Sequence, residues 1–230
     1  MTSDPPKIVL GTSGWSFRDW IGPYFPQGTK RADMLDVYAR EFPGVEVNST
    51  YYRIPHWRTF DAIAKKTPPR FELVVKAHHD MTHLRSRDPE LYREFDRSIA
   101  PLRLAGKLTG ILAQFPYGFR RTPDNEEFLR VLPDLLGRDT PLFVEFRHRS
   151  WVHEAVFEEL EEEALGYVSV DEPDLPGLMP PIARHTGPIG YVRFHGRNKE
   201  KWWGKESRER GVPDGRVGDR AGEPAGAASG

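Results

Sequence analysis

Seven short runs of β-branched, aromatic and aliphatic residues recur along this chain, at 7–11, 45–48, 71–76, 110–115, 142–147, 167–171 and 191–195. Between most of them lie stretches with helical spacing, such as Met34, Leu35, Val37, Tyr38 and Phe42, or Phe128, Leu129, Leu132, Leu135 and Leu136. The run starts fall roughly 24 to 38 residues apart, about the size of one strand–helix unit. Strand, helix, strand repeated in this way implies parallel strands joined by crossovers. Seven units exceed a typical doubly wound sheet and approach the eight of a closed barrel. The predicted fold is therefore α/β, a TIM-like (β/α) barrel with seven recognisable units, as a single domain over 7–203. A doubly wound sheet is the runner-up, weakened by the missing G-x-G-x-x-G turn after the first run.

Two helices carry clear start signals, Asp88 before Pro89 and Thr122 before Pro123, each a capping side chain followed by proline. The stretch 174–185 is proline-rich and reads as a loop. In the tail, 204–230, Val212 and Val217 are the only sizeable apolar side chains among glycines, alanines and charges. Such a segment buries too little to offset its ordering entropy and is expected to be disordered. The eighth unit then has no residues to form it, and the open barrel edge it leaves is expected to favour self-association.

Composition excludes several classes of function. Lys and Arg number 33 against 34 Asp and Glu, a net charge of -1, so no field draws in nucleic acid or an acidic membrane surface. The absence of cysteine removes disulfides, thiol nucleophiles and thiolate zinc sites, and suits a reducing compartment. No apolar stretch approaches the roughly 18 residues of a membrane helix, and no signal-peptide apolar region follows Met1. The chain reads as soluble and cytoplasmic, with neither a nucleic-acid nor a membrane partner. No P-loop, G-x-S-x-G elbow or H-E-x-x-H occurs, and no cofactor is expected.

Strand parity then picks out a polar interior, because alternate residues of a strand face the same way. The second run sets Val45 and Val47 against Glu46 and Asn48, and the third sets Val74 against Lys76. The fourth sets Ile111, Ala113 and Phe115 against Leu112 and Gln114; the fifth sets Val144 and Phe146 against Glu145 and Arg147. The sixth sets Val168 and Val170 against Ser169 and Asp171, and the seventh Val192 and Phe194 against Arg193 and His195. The apolar sets suit a face packed on helices, which sends the polar sets into the barrel. They also sit late in their strands, at the end that carries the active site in TIM barrels. Burying unpaired ionisable groups is costly, so this convergence reads as a functional pocket; the competing reading is a self-satisfied salt-bridge network closing the mouth.

Glu46, Glu145 and Asp171 supply three negative charges to this interior, and Lys76, Arg147 and Arg193 three positive ones. The cations suit a small anionic metabolite, a phosphate or carboxylate held by Lys76, Arg147 and Arg193. Glu46, Asp171 and His195 are the acid–base candidates, with Glu145 orienting Arg147 and Asn48 and Gln114 hydrogen-bonding the substrate. Trp15 and Tyr51 follow strand ends and line the mouth. A divalent metal on Glu46, Glu145, Asp171 and His195 is an alternative, disfavoured by the neighbouring cations. His78, His79 and His83 form a loop cluster read as solvated, and the run Glu158 to Glu163 as a solvated helix face.

Gly11-Thr-Ser-Gly-Trp15, with Asp19-Trp20 and Tyr24-Phe25-Pro26 behind it, resembles the opening of the YecE-like family, domain of unknown function 72. So do Val45-Glu-Val-Asn-Ser-Thr-Tyr51-Tyr52, Gln114-Phe115-Pro116, Glu145-Phe-Arg-His-Arg-Ser-Trp151, Asp171-Glu172-Pro173 and Tyr191-Val-Arg-Phe-His195-Gly-Arg-Asn198. Arg197 and Asn198 of the last motif join the substrate-binding candidates. The resemblance spans about Ile8 to Trp203 and implies a TIM-like barrel but no established reaction. After Trp203 the sequence departs from the family pattern of a further helix and a last strand. The expected function is acid–base chemistry, hydrolytic or lytic, on a small anionic substrate; the alternative of another class is a non-catalytic metabolite-binding or scaffold protein.

Overall fold

The computed structural model describes residues 6–200 and Trp202. The expectations for 204–230, both disorder and the missing eighth unit, lie outside the described residues. Six strands form one sheet: β1 (Gly44–Val47), β2 (Glu72–Lys76), β3 (Leu108–Gln114), β4 (Leu142–Glu145), β5 (Gly166–Asp171) and β6 (Tyr191–Phe194). Their order is sequential and every pairing is parallel. The helices are α1 (Met34–Glu41), α2 (Trp57–Lys66), the short α3 (His79–Thr82), α4 (Pro89–Leu104), α5 (Pro123–Leu136) and α6 (Glu154–Glu162). The sheet curls until its two edge strands meet across the interior, where Arg193 of β6 donates to Glu46 of β1. This is a parallel half-barrel, TIM-like in its winding.

Seven strands were expected and, among the described residues, six are found. The first run, 7–11, forms no ladder; the chain there reaches β1 through a single bridge, Ser13 to Glu46. Its alternate apolar residues find nothing to cover them, with Ile8 78% and Leu10 69% exposed. Sequence spacing alone could not reveal this, because a strand is stable only where its side chains bury or its backbone pairs. The close approach survives at Gly11, where a Cβ would lie 2.4 Å from the Gly44 carbonyl oxygen.

The expected helix starts are present. Asp88 accepts from the Glu90 amide ahead of α4, and Thr122 from the Asn125 amide ahead of α5, each with proline at the first turn. The helices bury their apolar stripes on the outer sheet face, Phe95, Ile99 and Leu102 from α4 and Phe128, Leu129 and Leu132 from α5. Phe115, Phe119, Phe146 and Trp151 stack in one column, ring centroids 4.0 to 6.3 Å apart, and the Trp151 indole donates to the Phe119 carbonyl at 2.6 Å. No helix separates β5 from β6; the segment between them, proline-rich as read from the sequence, is irregular.

Register decides what points inward. Val168 pairs with Tyr191 and Val170 with Arg193, so both valines share the interior with Arg193, while Ser169 and Asp171 face out. This reverses the parity expected for that strand. The outer face of β5 carries polar groups because loop backbone covers part of it: the Ser169 hydroxyl accepts from the Arg184 amide at 3.3 Å. In β2, Val74 and Lys76 are two residues apart and share the inner face; Leu73 and Val75, fully buried, are the ones packed on helices.

The interior has two layers. Phe143 fills the lower one, flanked by Gly110 and Gly166, where a Cβ would lie 2.3 and 2.7 Å from its ring. Tyr191 meets that ring edge-on at 5.0 Å. The upper layer is ionic. Outside β6, Val192 and Phe194 stay 54% and 78% exposed, since no helix among the described residues covers them. Phe115→Ala should therefore destabilise by about 3–5 kcal/mol, and Phe194→Ala by no more than about 0.5 kcal/mol. Urea unfolding of both variants checks this; equal losses would mean that the outer face of β6 is covered after all.

Candidate functional site

Parallel strands deliver their last inward residues to one end of the sheet, and here that end collects charge. Glu145, the last residue of β4, is fully buried; its Oε1 hydrogen-bonds His195 Nε2 at 3.1 Å and ion-pairs with Arg147, whose Nε lies 2.7 Å away without hydrogen-bond geometry. Its Oε2 accepts from Arg193 Nη1. Arg193 also grips Glu46 with two donors, Nε to Oε2 at 2.8 Å and Nη2 to Oε1 at 2.7 Å, a bidentate fork. Glu46 Oε2 further accepts from the Tyr191 hydroxyl at 2.5 Å. On the other side Arg147 Nη1 donates to Glu172 Oε2 at 2.9 Å, and Glu172 Oε1 accepts from the Met179 amide at 2.9 Å. The result is one lattice, Glu46–Arg193–Glu145–Arg147–Glu172.

Lys76 stands beside this lattice. Its Nζ donates to Gln114 Oε1 at 2.9 Å and lies 4.5 Å from the centre of the Tyr51 ring, a cation–π distance. Among the described residues it has no carboxylate within ion-pair distance. The Tyr51 ring is placed by the turn after β1, in which the Thr50 hydroxyl donates to the Lys76 carbonyl at 2.5 Å. His83 packs its ring 5.2 Å from Tyr51 and hydrogen-bonds Thr82 through Nδ1, and among the described residues its buried Nε2 meets no partner. Buried Asn48 Oδ1 likewise meets none among the described residues.

The structure thus brings Glu46, Lys76, Gln114, Glu145, Arg147, Arg193 and His195 together at one end of the sheet, with Tyr51 against Lys76. It does not bring Asp171 there. With β5 reversed in parity, Asp171 points outward and accepts from exposed Arg197 at 2.8 Å, so both leave the candidate set. Asn198 is exposed and its side chain accepts from the Glu200 amide, closing a turn. Trp15 is half-buried against the core. Glu172, one residue beyond Asp171, is the carboxylate that enters the interior, and sequence parity read from the wrong phase missed it. Tyr191 is in phase with Arg193 and His195, so alternation did carry a signal for it. His83, read as solvated, is mostly enclosed.

Burial and neighbours tune these groups. Desolvation would raise Glu145, but Arg147, Arg193 and His195 together hold it well below the usual carboxylate range. Glu46 is lowered too, its desolvation outweighed by Arg193, Tyr191 and Lys76. Desolvation wins at Glu172, which rises to about 7, because Arg147 is shared with the opposing charge of Glu145. It wins again at Lys76, lowered to about 8 with Arg193 and Arg147 adding to the effect against Glu145 and Glu46. His195 falls to about 4 and His83 to about 3, in each case chiefly by desolvation, so both rings are neutral at pH 7. The partners of His195 assign its proton to Nε2, facing Glu145, with Nδ1 toward Arg147 Nη2 at 3.5 Å.

These shifts have signs that can be measured. Glu172 lies above the ordinary carboxylate value of 4.5, so its contribution to stability is full below pH 4.5 and is lost as pH rises through about 7. Glu172→Gln removes this dependence. Relative to the unsubstituted protein, it should gain stability between pH 5 and 8, by roughly 2–3 kcal/mol. Urea unfolding at the two pH values is the check, and a flat or reversed difference would mean that Arg147 keeps Glu172 ionised throughout.

Among the described residues no helix is long and apolar enough to cross a membrane. Comparison with known proteins places the same chain in context. It is 34% identical over 218 residues to the UPF0759 protein YunF of Bacillus subtilis, covering 88% of this chain and 76% of that one. The crystal structure of a DUF72 family protein from Thermotoga maritima superposes with a TM-score of 0.78 at 39% identity, over 88% of this chain and 79% of that one. A DUF72 family protein from Enterococcus faecalis superposes with a TM-score of 0.71 at 27% identity, over 84% and 75%. The family model described as Protein of unknown function DUF72 matches residues 9–213, ten residues past Trp203, where the run of resembling motifs stops, and the chain belongs to that family.

Proposed function

We propose that this protein is an enzyme that carries out acid–base chemistry, hydrolytic or lytic, on a small phosphate- or carboxylate-bearing substrate at the C-terminal mouth of the half-barrel. The observation that carries the reading is Lys76, a buried cation whose polar partner is the neutral Gln114 rather than a carboxylate. Coulomb attraction in a water-poor site is several times that in bulk, so an anionic group entering there is drawn to Lys76 and to the neighbouring Arg147. The two guanidinium groups have a different first duty. Arg193 is committed to Glu46 and Glu145, and Arg147 to Glu145 and Glu172, so they hold the lattice in place and bias its potential. Glu172, pushed up to about 7, is matched to proton transfer near neutral pH and takes the acid–base role first given to Asp171. His195, neutral and held by Glu145, is the second proton-handling group.

A non-catalytic metabolite-binding or scaffold role is the second reading, favoured by the pairing of both arginines with the glutamates of the lattice. A divalent-metal mechanism has less support, since among the described residues no group of three or more histidines and carboxylates is arranged to hold an ion. A thermal-shift screen of the full chain against phosphate- and carboxylate-bearing metabolites tests the proposal. Anions should stabilise the protein, Lys76→Met should abolish the shift, and Glu161→Gln should leave it unchanged. Stabilisation that survives in Lys76→Met would remove the residue from the site, and a hit that is bound but never turned over would favour the second reading.

We also propose self-association through the open edge, where Val192 and Phe194 present apolar surface to solvent. Light scattering should show a concentration-dependent mass for the full chain that Phe194→Ser reduces; a monomer at all concentrations would refute it.

A further inference from the structure

Among the described residues two lysines leave the same small fraction of their surface in water, Lys76 and Lys107, and their ammonium groups are treated in opposite ways. Lys107 Nζ donates to three acceptors, the Ala64 and Thr67 carbonyls at 2.6 Å each and the Thr67 hydroxyl at 2.9 Å. An ammonium has three donors, so Lys107 is saturated and pins α2 to the start of β3. Lys76 Nζ makes one hydrogen bond, to a neutral amide oxygen, and otherwise meets an aromatic face. A structural lysine at that depth would be expected to collect acceptors as Lys107 does, because each unmet donor is a desolvation cost. Two guanidinium groups stand near it and disfavour its charged form, and burial acts in the same direction. Desolvation together with a neighbouring cation is the setting that frees a lysine amine to act as a nucleophile.

We propose that Lys76 is a covalent nucleophile that forms an imine with the carbonyl group of a small aldehyde or ketone carrying an anionic group. This rests on the reading of the mouth as an anion-accepting site and names the substrate class for it. The neutral amine adds through its lone pair to the carbonyl carbon as the C–O π bond breaks toward oxygen. One nitrogen-bound hydrogen of the resulting ammonium passes to that oxygen, the proton that the lysine first gave up returns there as the second, and the oxygen leaves as water while the C=N bond forms with one hydrogen kept on nitrogen. The net change is one lysine ammonium and one carbonyl giving one protonated imine and one water, with no oxidant or reductant. Gln114 Oε1 accepts one Nζ hydrogen and so orients the amine, and the Tyr51 face stabilises the cationic imine. Glu172 and His195 belong to the lattice whose arginines act on Lys76, and the later proton transfers of a lytic reaction fall to them.

The test uses two probes of similar size, anionic glyoxylate and neutral glycolaldehyde, each trapped on the full chain with borohydride and mapped by peptide mass spectrometry. Glyoxylate should label Lys76 roughly tenfold faster than Lys107 or exposed Lys7 at pH 7.5, with the rate rising through about pH 8, where the amine loses its proton. Lys76→Arg, checked for folding by circular dichroism, should lose that adduct and keep the others. Labelling of Lys76 no faster than that of Lys7 overturns the imine, even if the thermal-shift screen upholds anion binding. Equal labelling by glyoxylate and glycolaldehyde upholds the imine and overturns the anionic preference on which the substrate class depends.

Discussion

Glu145 is a carboxylate removed from water at the end of a central strand, and it holds only because two guanidinium groups and an imidazole converge on it. Taking such an anion out of water costs several kcal/mol after relaxation, and attraction to one cation recovers it only with good geometry. Here the recovery is shared. Arg147 reaches it from two residues further along the same chain segment, while Arg193 reaches it from β6 and at the same time holds Glu46 on β1. The lattice therefore ties three strands together through their side chains and joins the first strand of the sheet to the last without a backbone ladder between them. That pairing spans the interior between the two edge strands of the half-barrel.

The lower layer makes the lattice possible. Phe143 points inward two residues before Glu145, and its ring needs the space that Gly110 and Gly166 leave by having no side chain. The ring and the inward valines close the interior below the charges, keeping the dielectric low where the ions sit. Low dielectric strengthens each ion pair and equally penalises any group left without one. That is why the pKa values separate: Glu145, with three partners, is driven down, while Glu172, whose arginine is shared, is driven up. Like residues take different protonation states according to how many cations each can claim.

The contrast between Lys76 and Lys107 follows from the same constraint applied to cations. Lys107 sits where two backbone carbonyls and a hydroxyl converge, and it reads as a structural tie. Lys76 sits at the mouth with an amide and a ring, near charges but with no anion of its own. Among the described residues the arginines of the interior pair with carboxylates, while Lys76 meets only an amide oxygen and a ring.

Much of this was legible from residue order alone. The alternation of strand and helix, the capping signals at Asp88 and Thr122, and the inward polar sets of four strands follow from local geometry, because periodicity and propensity act within a few residues. Glu46, Lys76, Gln114, Glu145, Arg147, Arg193 and His195 could be gathered into one site for that reason. What alternation cannot supply is its own phase when both faces of a strand are covered. In β5 the apolar set, Val168 and Val170, lies inside, and Glu172 rather than Asp171 meets Arg147. Nor could a β-rich run at 7–11 show that it lacks a neighbour to bury Ile8 and Leu10. Phase, edge pairing and the contact of Arg147 with Glu172 are set by residues more than 20 positions apart, and contacts at that distance exist only once the chain has folded.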